Sequence, residues 1–260
     1  MTFWQDKCVI ITGASSGIGW ALAEHVAARG ARVGLLARRE EKLAELARLI
    51  EARGAQAAYA AADVNDPHRT AEAIHAVEQE LGDCEVLVAN AGVHRDTPGS
   101  RFCGADARAV LSTNVLGVVN SIDAVLPGML ARGSGHIVAV ASIAAMLGLP
   151  EVGAYSASKA AVVTLMESLR VDLRRSNVKV TTICPGFVDT PLIARRPRRM
   201  LWFVLAPDEA ARRIARAIER GKAEYWFPWR MWLVARVARA LPFGLYSRVC
   251  SLIPGRRGTG

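Results

Sequence analysis

The sequence predicts an α/β fold, a single domain built on an open, doubly wound parallel sheet of about seven strands. Three observations carry that reading. Short β-branched apolar runs alternate six times with stretches of helical period, and the connections between them are short. The first run, Lys7-Cys-Val-Ile-Ile-Thr12, passes directly into a glycine loop, Gly13-Ala-Ser-Ser-Gly17-Ile18-Gly19, that opens a helix. Finally, Gly13, Ala37, Asp63, Asn90, Ser142 and Pro185 all fall at the carboxyl ends of successive runs, the edge where such sheets bind ligands. At 260 residues the chain is long enough for one large core.

In chain order, the first helix is expected over 17–29. Gly13 permits a tight turn, Gly17 lets backbone approach a pyrophosphate at a helix N-terminus, and Gly19 allows helix and strand to pack closely. The same residues spell a nucleophile elbow, G-x-S-x-G, around Ser15. That reading fails because this is the first strand and no histidine follows His136. The second strand, 32–37, closes a right-handed βαβ unit. It ends in Ala37-Arg38-Arg39, where an acidic residue would accept from a ribose hydroxyl. A guanidinium suits a 2′-phosphate instead, so NADP is expected over NAD, with Arg38 the first choice and Arg39 and Ser15 as helpers. Helix 40–53 and a weak strand 56–61 lead to Asp63-Val64, then to helix 67–81. Strand 85–89 ends in Asn90-Ala91-Gly92, small enough for backbone to lie against a cofactor. A long helix over 106–132 carries Asn114, read either as a core polar group that bends the helix or as an anchor for a proton relay.

The run 136–141 reads as a buried strand ending at Ser142. A helix over 153–176 follows, with Tyr155 and Lys159 one turn apart on one face. A phenol has an ordinary pKa of about 10, and a neighbouring ammonium favours its phenolate. A hydroxyl at the strand end can hold a carbonyl oxygen where that phenol can protonate it. Strand 178–184 ends at Pro185-Gly186, helix 207–221 follows, and 224–227 supplies the last strand.

Composition bounds the function classes. The net charge of +9 is uneven: residues 191–260 hold 15 Lys and Arg against 4 Asp and Glu. A basic C-terminal quarter is not a nucleic-acid footprint spread over a fold, so no nucleic acid is expected. Five cysteines without C-x-x-C spacing suggest reduced thiols and a cytoplasmic protein. Five scattered histidines predict no metal site. No signal peptide or spanning helix is expected.

These residues together resemble the single-domain short-chain dehydrogenase/reductase family, a Rossmann-type fold. Carrying the resemblance are Thr12-Gly-Ala-Ser-Ser-Gly-Ile-Gly19, Asn90-Ala-Gly92, Asn114, Ser142, Tyr155-x-x-x-Lys159 and Pro185-Gly186 with Thr190. It covers residues 5–227. The resemblance implies that Tyr155 moves the proton and that Lys159 lowers its pKa and binds the nicotinamide ribose. It further implies that Ser142 orients the substrate oxygen and that Asn114 holds a relay water. Asp63 is implied to contact adenine, and Val188 and Thr190 to neighbour the nicotinamide amide. The implied cofactor contacts are Gly13, Ser15, Gly17, Ile18, Gly19, Arg38, Asp63, Val64, Asn90, Ala91, Gly92, Tyr155, Lys159, Pro185, Gly186, Val188 and Thr190. A homodimer or homotetramer through helices 106–132 and 153–176 is implied as well.

The chain departs from that family at its C-terminal end. A catalytic domain is expected over 1–228, with a short substrate lid at 191–206 holding Arg195, Arg196, Arg198 and Arg199 before an apolar run. Residues 229–260 form a basic, Trp-rich extension, with Trp229, Trp232, Leu233 and Val237 expected near one helix face. Two readings stay open for it: peripheral contact with an anionic membrane, or packing on its own domain or a partner subunit. The expected function is NADPH-dependent interconversion of a ketone and a secondary alcohol on an apolar, lipid-like substrate. The alternatives are an NADP-binding regulatory or membrane-docking protein, and an epimerase or dehydratase on a nucleotide-sugar.

Overall fold

The structure, a computed structural model, describes residues 2–194 and 203–252. Seven strands form one parallel sheet in the order β3-β2-β1-β4-β5-β6-β7. They are β1 (Cys8–Thr12), β2 (Arg32–Ala37), β3 (Ala57–Ala61), β4 (Val86–Ala89), β5 (Gly135–Val140), β6 (Val178–Pro185) and β7 (Glu224–Phe227). The order reverses between β1 and β4, which places a ligand crevice beyond their carboxyl ends.

The central strands are apolar runs, with Thr12 in β1 and His136 in β5 as buried polar exceptions, because helices cover both faces. Side chains alternate between the layers: Val9 and Ile11 join one core, Cys8 and Ile10 the other. The first core holds α1 (Gly17–Ala27), α2 (Glu40–Glu51) and α7 (Pro207–Glu219). The second holds α3 (Pro67–Leu81), α5 (Gly117–Ala131) and α6 (Gly153–Asp172). Local chemistry sets the helix starts. Asp66 accepts a hydrogen bond from the Arg69 amide at 3.0 Å, and Pro67 takes the first position of α3. Pro207, with Asp208 and Glu209 in the first turn, does the same for α7.

One expected helix is interrupted. Instead of a continuous 106–132, the chain forms α4 (Gly104–Leu111), a π turn at Ser112–Leu116 and then α5. Gly104–Ala131 is long and apolar enough to cross a bilayer, but Val110, Asn114, Val118, Ile122, Val125 and Met129 are buried in this domain. It is a core element. Beyond β7 come α8 (Trp229–Ala240) and α9 (Phe243–Leu252). Of the four residues expected on one face of α8, Trp232 turns inward and is half-buried with Met231, while Trp229, Leu233 and Val237 are exposed. The four lid arginines, and Trp202, lie outside the described residues.

Candidate active site

The glycine loop is held open by geometry that side chains would destroy. Gly13 has φ +68°, and a Cβ there would lie 2.7 Å from the Ala91 Cα. A Cβ on Gly19 would lie 2.5 Å from the Gly13 carbonyl oxygen and 2.7 Å from Asn90 Nδ2. The ends of β1 and β4 are stapled together here. Asn90 Nδ2 donates to the Thr12 carbonyl at 3.0 Å, and Thr12 Oγ1 accepts from the amides of Asn90 and Ala91 at 3.1 Å each. What remains is a bare backbone surface at the N-terminus of α1, where free N–H groups and the helix dipole favour an anion.

That surface forms one wall of a cleft of about 840 Å³. The cleft runs from the glycine loop past Arg38, Arg39, Asp63 and Val64 to Asn90, Ala91 and Gly92, then on to Thr190 and Leu192. Its size suits a dinucleotide. The two arginines take different places. Arg39 reaches back onto the loop, donating from Nη2 to Ser15 Oγ and Ser16 Oγ at 2.9 Å each. Arg38 pairs with Asp63 Oδ2 at 3.8 Å, while Asp63 Oδ1 accepts from the Asn65 amide and side chain. Guanidinium, hydroxyl and carboxylate therefore meet at one end of the cleft, and helix and glycine backbone in its middle. These residues fit a dinucleotide carrying phosphate groups.

Tyr155 lies in the first turn of α6, half-buried. Lys159, one turn later, is buried, with Nζ 5.8 Å from the centroid of the Tyr155 ring. Its ammonium donates to the Val140 carbonyl, near the end of β5, at 2.9 Å. Burial pulls its pKa down to about 8. Ser142 begins a 3-10 turn (Ile143–Met146); its Oγ accepts from the Ala144 amide at 3.2 Å and donates to the Pro185 carbonyl at 3.4 Å. Asn114 sits in the π turn, fully buried. Its Oδ1 accepts from the Val93 amide at 2.8 Å, and its Nδ2 donates to the Val93 carbonyl and to Ser158 Oγ at 3.0 Å each. A Cβ on Gly92 would lie 3.3 Å from Asn114 Oδ1 and 3.6 Å from Lys159 Nζ. The loop after β4, the π turn and α6 thus converge on one point.

The remaining expected residues fall in three settings. Thr190 closes over the glycine loop, where a Cβ on Gly17 would meet its Cγ2 at 2.9 Å. Ile18 is half-buried against the first core, and Val188 is buried in it. Gly186 faces the tail: its amide donates to the Phe227 carbonyl at 2.7 Å, and a Cβ there would meet Met231 Sδ at 2.6 Å. Among the described residues no cluster of three His, Cys, Asp or Glu could hold a metal ion.

Two contributors escaped the sequence reading. His94 lies beside Tyr155 in a tilted ring contact, with centroids 5.0 Å apart at 57°. Its signal is its place two residues after Gly92, the end of the Asn90-Ala-Gly92 segment expected to lie against a cofactor. Ser158, next to Lys159, bonds the Asn114 amide and donates to the Tyr155 carbonyl at 2.7 Å. Nothing in the spacing marks that pair.

The family model for short chain dehydrogenases matches residues 7–200. An uncharacterized oxidoreductase of Myxococcus xanthus is 41% identical over 240 residues, covering 92% of this chain and 94% of that protein. Among solved structures, a short chain dehydrogenase/reductase from Burkholderia phymatum in complex with NAD superposes with a TM-score of 0.84 at 28% identity, over 92% of this chain and 94% of that one. An alcohol dehydrogenase from Thermococcus sibiricus, complexed with 5-hydroxy-NADP, gives 0.77 at 26% identity, over 85% and 95%. Family model, relatives and fold agree: the chain belongs to the short-chain dehydrogenase/reductase family of NAD(P)-dependent oxidoreductases.

Proposed function

We propose that the protein is an NADPH-dependent carbonyl reductase, or a secondary alcohol dehydrogenase in reverse, acting on an apolar ketone in the cleft beyond Gly92. The observation that carries this is the Tyr155–Lys159 pair on α6, with the lysine pinned to β5 two residues before Ser142. A bound nicotinamide would exchange the hydride with the carbonyl carbon. Tyr155 gives its hydroxyl proton to the carbonyl oxygen in reduction and takes it back in oxidation. The Lys159 ammonium favours the phenolate left behind. Ser142 presents the hydroxyl that orients the substrate oxygen, and Asn114 holds the loop after β4 at Val93. Replacing Tyr155 with Phe should lower turnover by about 10²–10⁴-fold while NADPH binding survives. Retained turnover would remove Tyr155 from the chemistry.

The NADP preference is supported by Arg38 and Arg39 at the end of β2, beside Ser15. Arg38→Asp should raise KM for NADPH at least about tenfold and leave that for NADH nearly unchanged. If NADPH affinity holds, the phosphate contact belongs to Arg39 instead. Support for an apolar substrate comes from Leu192, exposed at the cleft, and from exposed Phe203, which lies against Arg230 of the tail, although Arg95, Asp96 and Glu151 also line the cleft. NADPH oxidation against ketones of increasing chain length tests it: a rate rising with length supports the reading, and a rate confined to short polar carbonyls removes it. Assembly through α4, α5 and α6 is supported by exposed Leu111, Leu116, Val119, Leu130 and Val171.

A further inference from the structure

The tail presents an amphipathic surface that the reaction does not use. Helix α8 has two apolar faces. The inner one, Met231, Trp232, Ala235 and Ala238, packs on the domain beside the Ile143–Met146 turn that follows Ser142. The outer one is a stripe at helical spacing, Trp229, Leu233 and Val237, with Val234 at its edge. Trp229 is 64% exposed and Val237 57%. On α9, Tyr246 and Cys250 turn inward, whereas Leu245 and Val249, also four apart, face out. Phe243, at the start of α9, is 81% exposed.

Arginines flank this apolar face. Arg230 and Arg236 lie on opposite sides of the α8 stripe by helical angle, and all of Arg230, Arg236, Arg239 and Arg248 are exposed. The Arg230 guanidinium stands 5.6 Å from the Trp229 ring and 5.9 Å from the Phe203 ring. Residues 225–260 contain six arginines and no aspartate or glutamate. A helix with large apolar residues outward, tryptophan among them, and cations along its flanks matches an interface between water and anionic lipid. A second copy of the chain is the poorer occupant, because a two-fold interface would set these arginines against each other with no acid to pair.

We propose that the outer face of α8 and α9 is a docking surface for an anionic lipid bilayer, with the aromatic and aliphatic side chains entering the headgroup boundary and the arginines meeting the phosphates. The same unit grips the active-site loop. Tyr246 Oη donates to the Gly148 carbonyl at 2.6 Å, and Met231 fills the open side of Gly186. A docked tail would hold the loop after Ser142 directly against the bilayer. The proposal depends on exposure and charge and stands apart from the reaction assigned to the cleft.

The test uses the full-length protein with vesicles of phosphatidylcholine alone and of phosphatidylcholine mixed with phosphatidylglycerol. Co-sedimentation is expected with the anionic vesicles, weakening as salt is raised. A doubly substituted variant, Leu233→Glu with Val237→Glu, should bind them at least about tenfold less. It should keep its circular dichroism, its NADPH binding and its turnover of a water-soluble ketone. Arg236→Ala with Arg239→Ala should reduce binding to anionic vesicles and flatten the salt dependence. Absence of co-sedimentation by folded wild-type protein would overturn the proposal. So would wild-type binding by the glutamate variant. If sedimentation velocity without lipid shows that the glutamates convert an oligomer to monomer, the face is a subunit interface and the lipid assignment falls.

Discussion

The end of β7 and the start of α9 are close in sequence and opposite in character. Phe227 is buried, its backbone carbonyl taken by Gly186 and its ring stacked on Tyr225 at 5.0 Å. Phe243 is among the most exposed aromatic side chains described. The same side chain closes a core in one place and faces outward in the other. The sheet carries stability for the whole domain, and the tail spends its apolar residues on a surface. A protein optimised only for folding would bury both rings, since burial is where apolar area stabilises.

The contrast breaks most sharply by truncation of the two rings. Phe227→Ala should cost about 3–5 kcal/mol in denaturant unfolding, the range for emptying a fully buried aromatic site. A cost under about 1 kcal/mol would mean that β7 is a loosely held edge and that domain and tail differ little.

Acid titration probes the sheet from inside. His136 of β5 is buried, with Nε2 2.8 Å from Thr181 Oγ1, whose hydroxyl donates to the Lys222 carbonyl at 2.6 Å. That arrangement makes Nε2 the protonated nitrogen and leaves Nδ1 buried without a partner among the described residues. Burial, with Lys179 and Lys7 adding to it, lowers the pKa from 6.5 to about 4. Below 6.5 the unfolded chain takes up a proton that the folded chain refuses until about 4. Stability should therefore fall as pH drops through this window, by about 3 kcal/mol in full. His136→Leu should flatten the profile between pH 6.5 and 4; an unchanged slope would assign the acid sensitivity elsewhere.

The smallest expected effect lies at the other pole. Phe243→Ala should change unfolding free energy by less than about 0.5 kcal/mol. A larger loss would show that α9 is a structural part of the domain, and the contrast between the two phenylalanines would close.

Most of the fold was legible because the central strands are apolar runs cut off by Gly, Pro or Asn. β2, α3 and β7 fall at their expected bounds, and most other elements within a few residues. The site was legible where backbone alone decides, as at Gly13 and Gly19, because no other side chain fits there. It was less legible where direction decides. Arg38 and Arg39 are adjacent, and only the turn into α2 shows that Arg39 folds onto Ser15 and Ser16 while Arg38 swings to Asp63. At Asn114 a helix-bending polar group is one of the two sequence expectations, but the π turn itself is not legible, for a related reason. Apolar periodicity reports which face is buried but not a single extra residue in the helical winding. Helical spacing groups Trp232 with Trp229, because the sequence does not reveal which side of α8 meets the domain.

Strand β5 has a consequence for how this enzyme tolerates change. Its end supplies both the carbonyl that holds Lys159 and, two residues on, Ser142. The strand is a ruler: two extended residues, about 7 Å, set the spacing of Ser142 and the carbonyl that holds Lys159, and so of two groups proposed to act in the reaction. Surface connections can lengthen by several residues at little cost. One residue added between Val140 and Ser142 would turn the serine to the other side of the sheet and move it a full step from the lysine. Length variation among descendants of this chain should accumulate almost anywhere on its surface before it touches those positions.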